Sequence, residues 1–91
     1  MLSQQTEALK VSATEIKEWL VSYLADLLEI EPEQINVETT FARYGLDSSV
    51  AVVLTGDLAD WLGKELELRV VWDYPTIASL SQHLSDESIA V

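Results

Sequence analysis

The segment from Ala13 to Leu28 constrains this chain most. Ile16, Trp19, Leu20, Tyr23, Leu24, Leu27 and Leu28 fall at i, i+3, i+4, i+7, i+8, i+11 and i+12. That spacing puts all seven on one stripe of an α-helix and demands a partner surface to cover it. "SATE" precedes the stripe: Ser12 can cap the helix and Glu15, three residues on, can reach back, which is a capping box. Pro32 bars continuation, because the residue before a proline is pushed out of the helical region.

Two further helices are written less loudly. One is predicted from Ser48 to Leu62, ending at Gly63, a residue suited to a left-handed C′ position. Ala51, Leu54, Leu58 and Leu62 lie on one of its faces, with Trp61 at the edge; Val50, Val53, Asp57 and Asp60 lie on another. Gly56 sits in its middle at about 1 kcal/mol relative to alanine, which points to a close approach by a neighbouring helix or a partner. The other helix follows Thr76, a good N-cap, through "IASLSQHL", with Ile77, Leu80 and Leu84 inward. Between them, Glu65 to Val70 alternates like a strand, but a lone strand has no mate. An extended loop is expected there, with one helical turn over Val71–Tyr74 and a stop at Pro75. The long connection from Glu29 to Asp47 follows no period, and Ile30, Ile35, Val37, Phe41 and Leu46 are spaced along it as anchors. Gly45 can supply a positive φ just before the next helix. The expected architecture is all-α: a small antiparallel four-helix bundle, three main helices and one short one, with a long first loop. Residues 1–11 and 86–91 are expected to be flexible tails around a domain at 12–85.

Charge narrows the partners. Sixteen acidic side chains face five basic ones, for a net charge of −11. Nucleic acid and anionic membranes repel such a chain, and basic protein surfaces attract it. No apolar run is long enough to span a membrane. No basic start followed by an apolar block marks a signal peptide, so a cytoplasmic, monomeric protein is expected. Without cysteine there is no disulfide, thiolate metal site or thiol nucleophile.

Catalytic constellations are absent. His83 is the sole histidine, and a hydrolytic pairing with Ser48 would require the two side chains within hydrogen-bond reach. No carboxylate spacing matches a calcium loop, and no glycine-rich phosphate loop exists. Trp19, Trp61 and Trp72 read as core or groove residues rather than a stacking platform. A non-catalytic module is expected.

The remaining feature is "YGLDSSVAVV", residues 44–53. Taken alone, Asp47 is a favoured N-cap and the serines an ordinary first turn. The order of segments adds to that: a capped amphipathic helix, an anchored loop, Phe41-x-x-x-Gly45-x-Asp47-Ser48 opening a second helix, then Asp73-Tyr74-Pro75-Thr76 before the last helix. From about residue 12 to 85 this resembles the acyl carrier protein family, and within it the carriers of polyketide synthases. The resemblance implies that Ser48 is esterified with 4′-phosphopantetheine, with Asp47 helping to orient the modifying enzyme. The implied partners are a phosphopantetheinyl transferase, an acyl-AMP ligase or acyltransferase, and ketosynthase and tailoring enzymes. A phosphodiester on Ser48 would lie at a helix N-terminus, where unpaired N–H groups and the dipole favour an anion. The thiol that this chain lacks would arrive on the arm.

After that serine the family usually has leucine, and this chain has Ser49. The second helix becomes the recognition helix by resemblance, apolar near Ser48 through Val50 and Val53 and acidic further on at Asp57 and Asp60. Ser49 and Trp72 complete the expected partner face, and Trp72 and Tyr74 could flank the arm or pack in the core. Two alternatives stand beside this one. A peptidyl carrier uses the same arm for aminoacyl groups, but there the motif more often reads Gly-Gly-x-Ser. An unmodified acidic helical domain would dock a basic partner and carry nothing.

Overall fold

The structure, a computed structural model, describes residues 11–89, with side chains as far as Ser85. Four helices follow in order: α1 (Ala13–Leu28), α2 (Ser48–Leu62), α3 (Arg69–Asp73) and α4 (Ile77–Ile89). They form a helical bundle whose described residues contain no strand, only an isolated antiparallel bridge between Thr40 and Thr76. Of the expected tails, residues 1–10 lie outside the described residues. Val11 is half-buried against the core. At the other end α4 runs through Ile89, past the expected boundary at residue 85, and residues 90–91 lie outside the described residues.

The capping box forms as its spacing demands. The Glu15 N–H donates to Ser12 Oγ at 3.1 Å, and the Ser12 N–H donates to Glu15 Oε1 at 3.0 Å. Ile16, Leu20 and Leu24 are fully buried, and α4 is the helix packed most extensively on α1. Leu27, expected inside, is 44% exposed. It sits on the outer edge of a stripe too wide for the neighbouring helices to cover.

Proline is not what stops α1. The helix ends at Leu28, and Glu29 takes a left-handed conformation (φ 60°, ψ 45°) while the Ile30 N–H donates to the Ala25 carbonyl at 3.0 Å. This is a Schellman ending built on a residue with a Cβ. Pro32 instead opens a 3₁₀ turn, Pro32–Gln34. A left-handed non-glycine residue is strained, so Glu29→Gly is expected to stabilise the fold by about 1 kcal/mol. The check is a rise in Tm of about 5 °C.

The long loop is held at both ends and in the middle. Ile35, Phe41 and Leu46 are buried and Val37 half-buried, while Ile30, expected as an anchor, is exposed. Tyr44 accepts a hydrogen bond from the Asn36 N–H at 2.6 Å. The Phe41 N–H donates to the Pro75 carbonyl at 2.8 Å, and the Ala78 N–H donates to the Val37 carbonyl at 3.0 Å. The two sequence motifs, one around Phe41–Ser48 and the other at Asp73–Thr76, are therefore joined backbone to backbone.

On α2, Ala51, Leu54, Thr55 and Leu58 are buried, and Gly63 ends the helix at φ 74°. The Thr55 hydroxyl satisfies itself on the Ala51 carbonyl at 2.7 Å. A Cβ at Gly56 would meet nothing within 4 Å among the described residues, so none of the described helices makes the close approach that a neighbouring helix or a partner was expected to make. The alternating Glu65–Val70 segment forms no strand; α3 begins within it at Arg69, two residues before the expected turn, and buries Val71. Thr76 caps α4 reciprocally with Ser79: the Ser79 N–H donates to Thr76 Oγ1 at 3.0 Å and the Thr76 N–H to Ser79 Oγ at 3.2 Å. Ile77, Leu80 and Leu84 complete the core.

Candidate functional site

The junction of loop and α2 presents its polar residues to solvent. Gly45 turns the chain at φ 85°, a left-handed geometry that a side chain would strain. Leu46 then plunges into the core at 6% exposure, and the next three residues, Asp47, Ser48 and Ser49, are all exposed. Asp47 is the N-cap: its Oδ1 accepts from the Val50 N–H at 3.0 Å. Ser48 is thus the first residue of the helix, its hydroxyl at the positive end of the α2 dipole beside backbone N–H groups that have no partner within the helix. A primary hydroxyl in that position is well placed as the acceptor of a phosphate ester.

The other expected site residues divide. Ser49, Val53 (56% exposed), Asp57, Asp60 and Trp72 (46% exposed) are on the surface. Val50 is not; it is half-buried against the core. Val52, which sequence reasoning passed over, stands out at 54% exposure. Its position four residues after Ser48 and one after the buried Ala51 is the signal that could have found it. Trp61 and Trp72 are not core residues. Trp61 is 41% exposed and stacks on Trp19 of α1, ring centroids 5.4 Å apart at 17°.

Asp57 is already engaged, because its Oδ2 accepts a 2.8 Å hydrogen bond from the Tyr23 hydroxyl. Burial first, then that bond and the carboxylate charge, push the Tyr23 phenol from 10.0 up to about 12. The folded value lies above the unfolded one. The contribution to stability is therefore complete below about pH 10 and lost as pH rises through about 12. Denaturant unfolding across that range is expected to show the decline, and absorbance titration to show Tyr23 ionising near pH 12.

His83 is half-buried and stacks on Tyr74 at 3.9 Å and 11°. Both line a cleft of about 340 Å³ with Glu65, Leu66, Glu67, Arg69, Val70 and Asp73, a set that does not include Ser48. The described residues contain no group of three or more His, Asp or Glu side chains arranged to hold a metal ion. No described helix is long and apolar enough to cross a membrane.

The described residues thus form a helical bundle that displays a serine hydroxyl at a capped helix N-terminus. The family comparisons identify the class of protein. Residues 18–84 match the phosphopantetheine attachment site model. The acyl carrier protein TtuC of Teredinibacter turnerae is 34% identical over 93% of this chain and 98% of its own. One component of the phenolphthiocerol/phthiocerol polyketide synthase of Mycobacterium tuberculosis is 31% identical over 78% of this chain, a match that spans only 4% of that much longer polypeptide. Among solved structures, Asl1650 of Anabaena, an acyl carrier protein with a variant phosphopantetheinylation-site sequence, superposes at TM-score 0.82. It is 40% identical, with 86% of this chain and 89% of that one covered. A free-standing peptidyl carrier protein of Acinetobacter baumannii follows at 0.77 and 38%, covering 84% and 95%. The chain belongs to the phosphopantetheine-attachment family of carrier domains, and within it to acyl carriers of the polyketide-synthase type.

Proposed function

We propose that Ser48 carries the 4′-phosphopantetheine arm and that this chain, without catalysis of its own, passes acyl or polyketide intermediates between biosynthetic enzymes. The observation that supports this most is the exposed Ser48 hydroxyl at the Asp47-capped start of α2. The fit to the arm rests on its donor set: α2 offers unpaired N–H groups to a phosphodiester, and Asp47 keeps the turn open by holding the Val50 N–H. When bound, the arm supplies the thiol on which cargo rides as a thioester. Ser49 is the neighbouring competitor, exposed but one residue further into the helix.

The partners that follow are a phosphopantetheinyl transferase, an acyl-AMP ligase or acyltransferase, and ketosynthase and tailoring enzymes, in the cytoplasm. Their docking face is the outer side of α2. From Ser48 to Gly56 this helix bears no charge, although the chain as a whole stands at −11. Val52 and Val53 therefore offer an apolar contact beside the Ser49 hydroxyl, with Asp60 beyond it and Trp72 on α3 as a further exposed contact. Val53→Asp is expected to lower acyl transfer at least tenfold and leave the fold intact, since the side chain is 56% exposed. Unchanged transfer kinetics would remove Val53 from the docking face. Loading the modified protein with panels of acyl and aminoacyl donors separates the two carrier readings; the likeness to a peptidyl carrier makes the aminoacyl arm of that test necessary.

A further inference from the structure

Arg43 is the one basic residue between Lys17 and Lys64, on a chain where sixteen acidic side chains face five basic ones. Its place is fixed by its backbone. The Arg43 N–H donates to the Thr40 carbonyl at 3.1 Å and to Thr40 Oγ1 at 3.2 Å, within the 3₁₀ turn Ala42–Tyr44 that Gly45 closes. Thr40 is itself bridged to Thr76, and the neighbouring Tyr44 is tied through its hydroxyl to Asn36. The guanidinium is exposed and pairs with no carboxylate among the described residues, whereas Arg69 pairs with Asp73 at 3.2 Å. On so acidic a chain, an unpaired guanidinium on a fixed turn is available to an anion that the chain itself does not supply.

We propose that Arg43 binds the phosphodiester of the 4′-phosphopantetheine arm, supplying the full positive charge that the amides at the start of α2 lack. This rests on the assignment of the arm to Ser48. Ser48 follows Arg43 on the same loop, so their Cα atoms are at most about 17 Å apart by chain length. The reversal at Gly45 (φ 85°) shortens that span. A guanidinium presents a planar fork that matches two phosphate oxygens at once, which a helix dipole cannot do. The need for a cation is local. Asp47 carries a full negative charge next to Ser48, and its carboxylate is committed to the Val50 N–H. An anion added one residue away is repelled by it, and Arg43 offsets that repulsion. Nothing on the first half of α2 can replace it, because the helix bears no charge from Ser48 to Gly56. Held at its root on the loop side, the arm leaves Val52 and Val53 clear for a partner.

The test loads the ¹⁵N-labelled parent, Arg43→Gln and Arg43→Lys with a phosphopantetheinyl transferase and coenzyme A. Intact mass and peptide mapping locate the adduct, and ³¹P and ¹⁵N NMR read the contact. Loading is expected to shift the Arg43 Nε–H resonance of the parent. The ³¹P resonance of loaded Arg43→Gln is expected to move away from the parent's, with Arg43→Lys between the two, because lysine keeps the charge and loses the fork. Salt at about 1 M, where the screening length falls to about 3 Å, is expected to carry the parent's ³¹P resonance towards that of Arg43→Gln. Tm is expected to hold within about 4 °C in both variants, since the side chain is exposed and unpaired. A merely structural role would move Tm and leave the ³¹P resonance insensitive to salt. Identical ³¹P resonances in the parent and Arg43→Gln, or an Nε–H resonance that loading does not move, would overturn the proposal while the adduct on Ser48 stands. No adduct on the parent, or one on Ser49, would instead overturn the Ser48 assignment and this proposal with it.

Discussion

Ser48→Ala is expected to leave a folded protein that no transferase can load. The side chain is exposed at the first position of α2, and surface changes of this kind move stability by about 0.5 kcal/mol or less. The cap is untouched, because it is the Asp47 carboxylate and not a serine that receives the Val50 N–H. Incubation with a phosphopantetheinyl transferase and coenzyme A, followed by intact-mass measurement, is expected to show one adduct on the parent, none on Ser48→Ala, and one on Ser49→Ala. Peptide mapping of the parent places the adduct. A modification found on Ser49, or a loaded Ser48→Ala protein, would refute the assignment. The Ser49→Ala arm matters because two adjacent hydroxyls stand on the same exposed turn, one aligned with the helix start and the other a residue beyond it.

Phe41→Ala is expected to be the most damaging single change away from the hydroxyl. Phe41 is the one phenylalanine of the chain, 1% exposed, and belongs to the central core. Truncation of a buried phenylalanine costs about 3–5 kcal/mol, a large part of the roughly 5–15 kcal/mol by which domains are held. The local consequence is specific. The Phe41 carbonyl accepts from the Tyr44 and Leu46 N–H groups at 3.0 and 3.2 Å, and its own N–H is tied to Pro75. Emptying its pocket loosens both the turn through Gly45 that delivers Ser48 and the joint that opens α4. Denaturant unfolding is expected to show the full loss, and loading of Ser48 to slow even where the variant remains folded. Phe41→Leu, which keeps most of the volume, is expected to lose about 1.5 kcal/mol or less. Equal stability of Phe41→Ala and the parent would contradict the anchoring role.

What the residues determined by themselves is whatever depends on neighbours a few positions apart. The Ser12–Glu15 box, the Asp47 cap, the Gly45 and Gly63 turns and the buried faces Ile16–Leu20–Leu24 and Ile77–Leu80–Leu84 were all legible, because hydrogen bonds and helical periodicity act within one or two turns. So was the exposed serine, through the order of two short motifs. The tertiary structure alone decided which apolar side chains remain uncovered. Leu27 reads as inward and lies outside; Val50 packs on the core while Val52 faces solvent; Trp61 and Trp72 are half in the open. It also decided that Glu29 and not Pro32 ends α1, that Asp57 is held by Tyr23, and that Pro75 is fastened to Phe41. Each of these depends on what a distant segment covers or reaches. That is fixed by how whole helices pack against one another, and no stretch of sequence records its own neighbour.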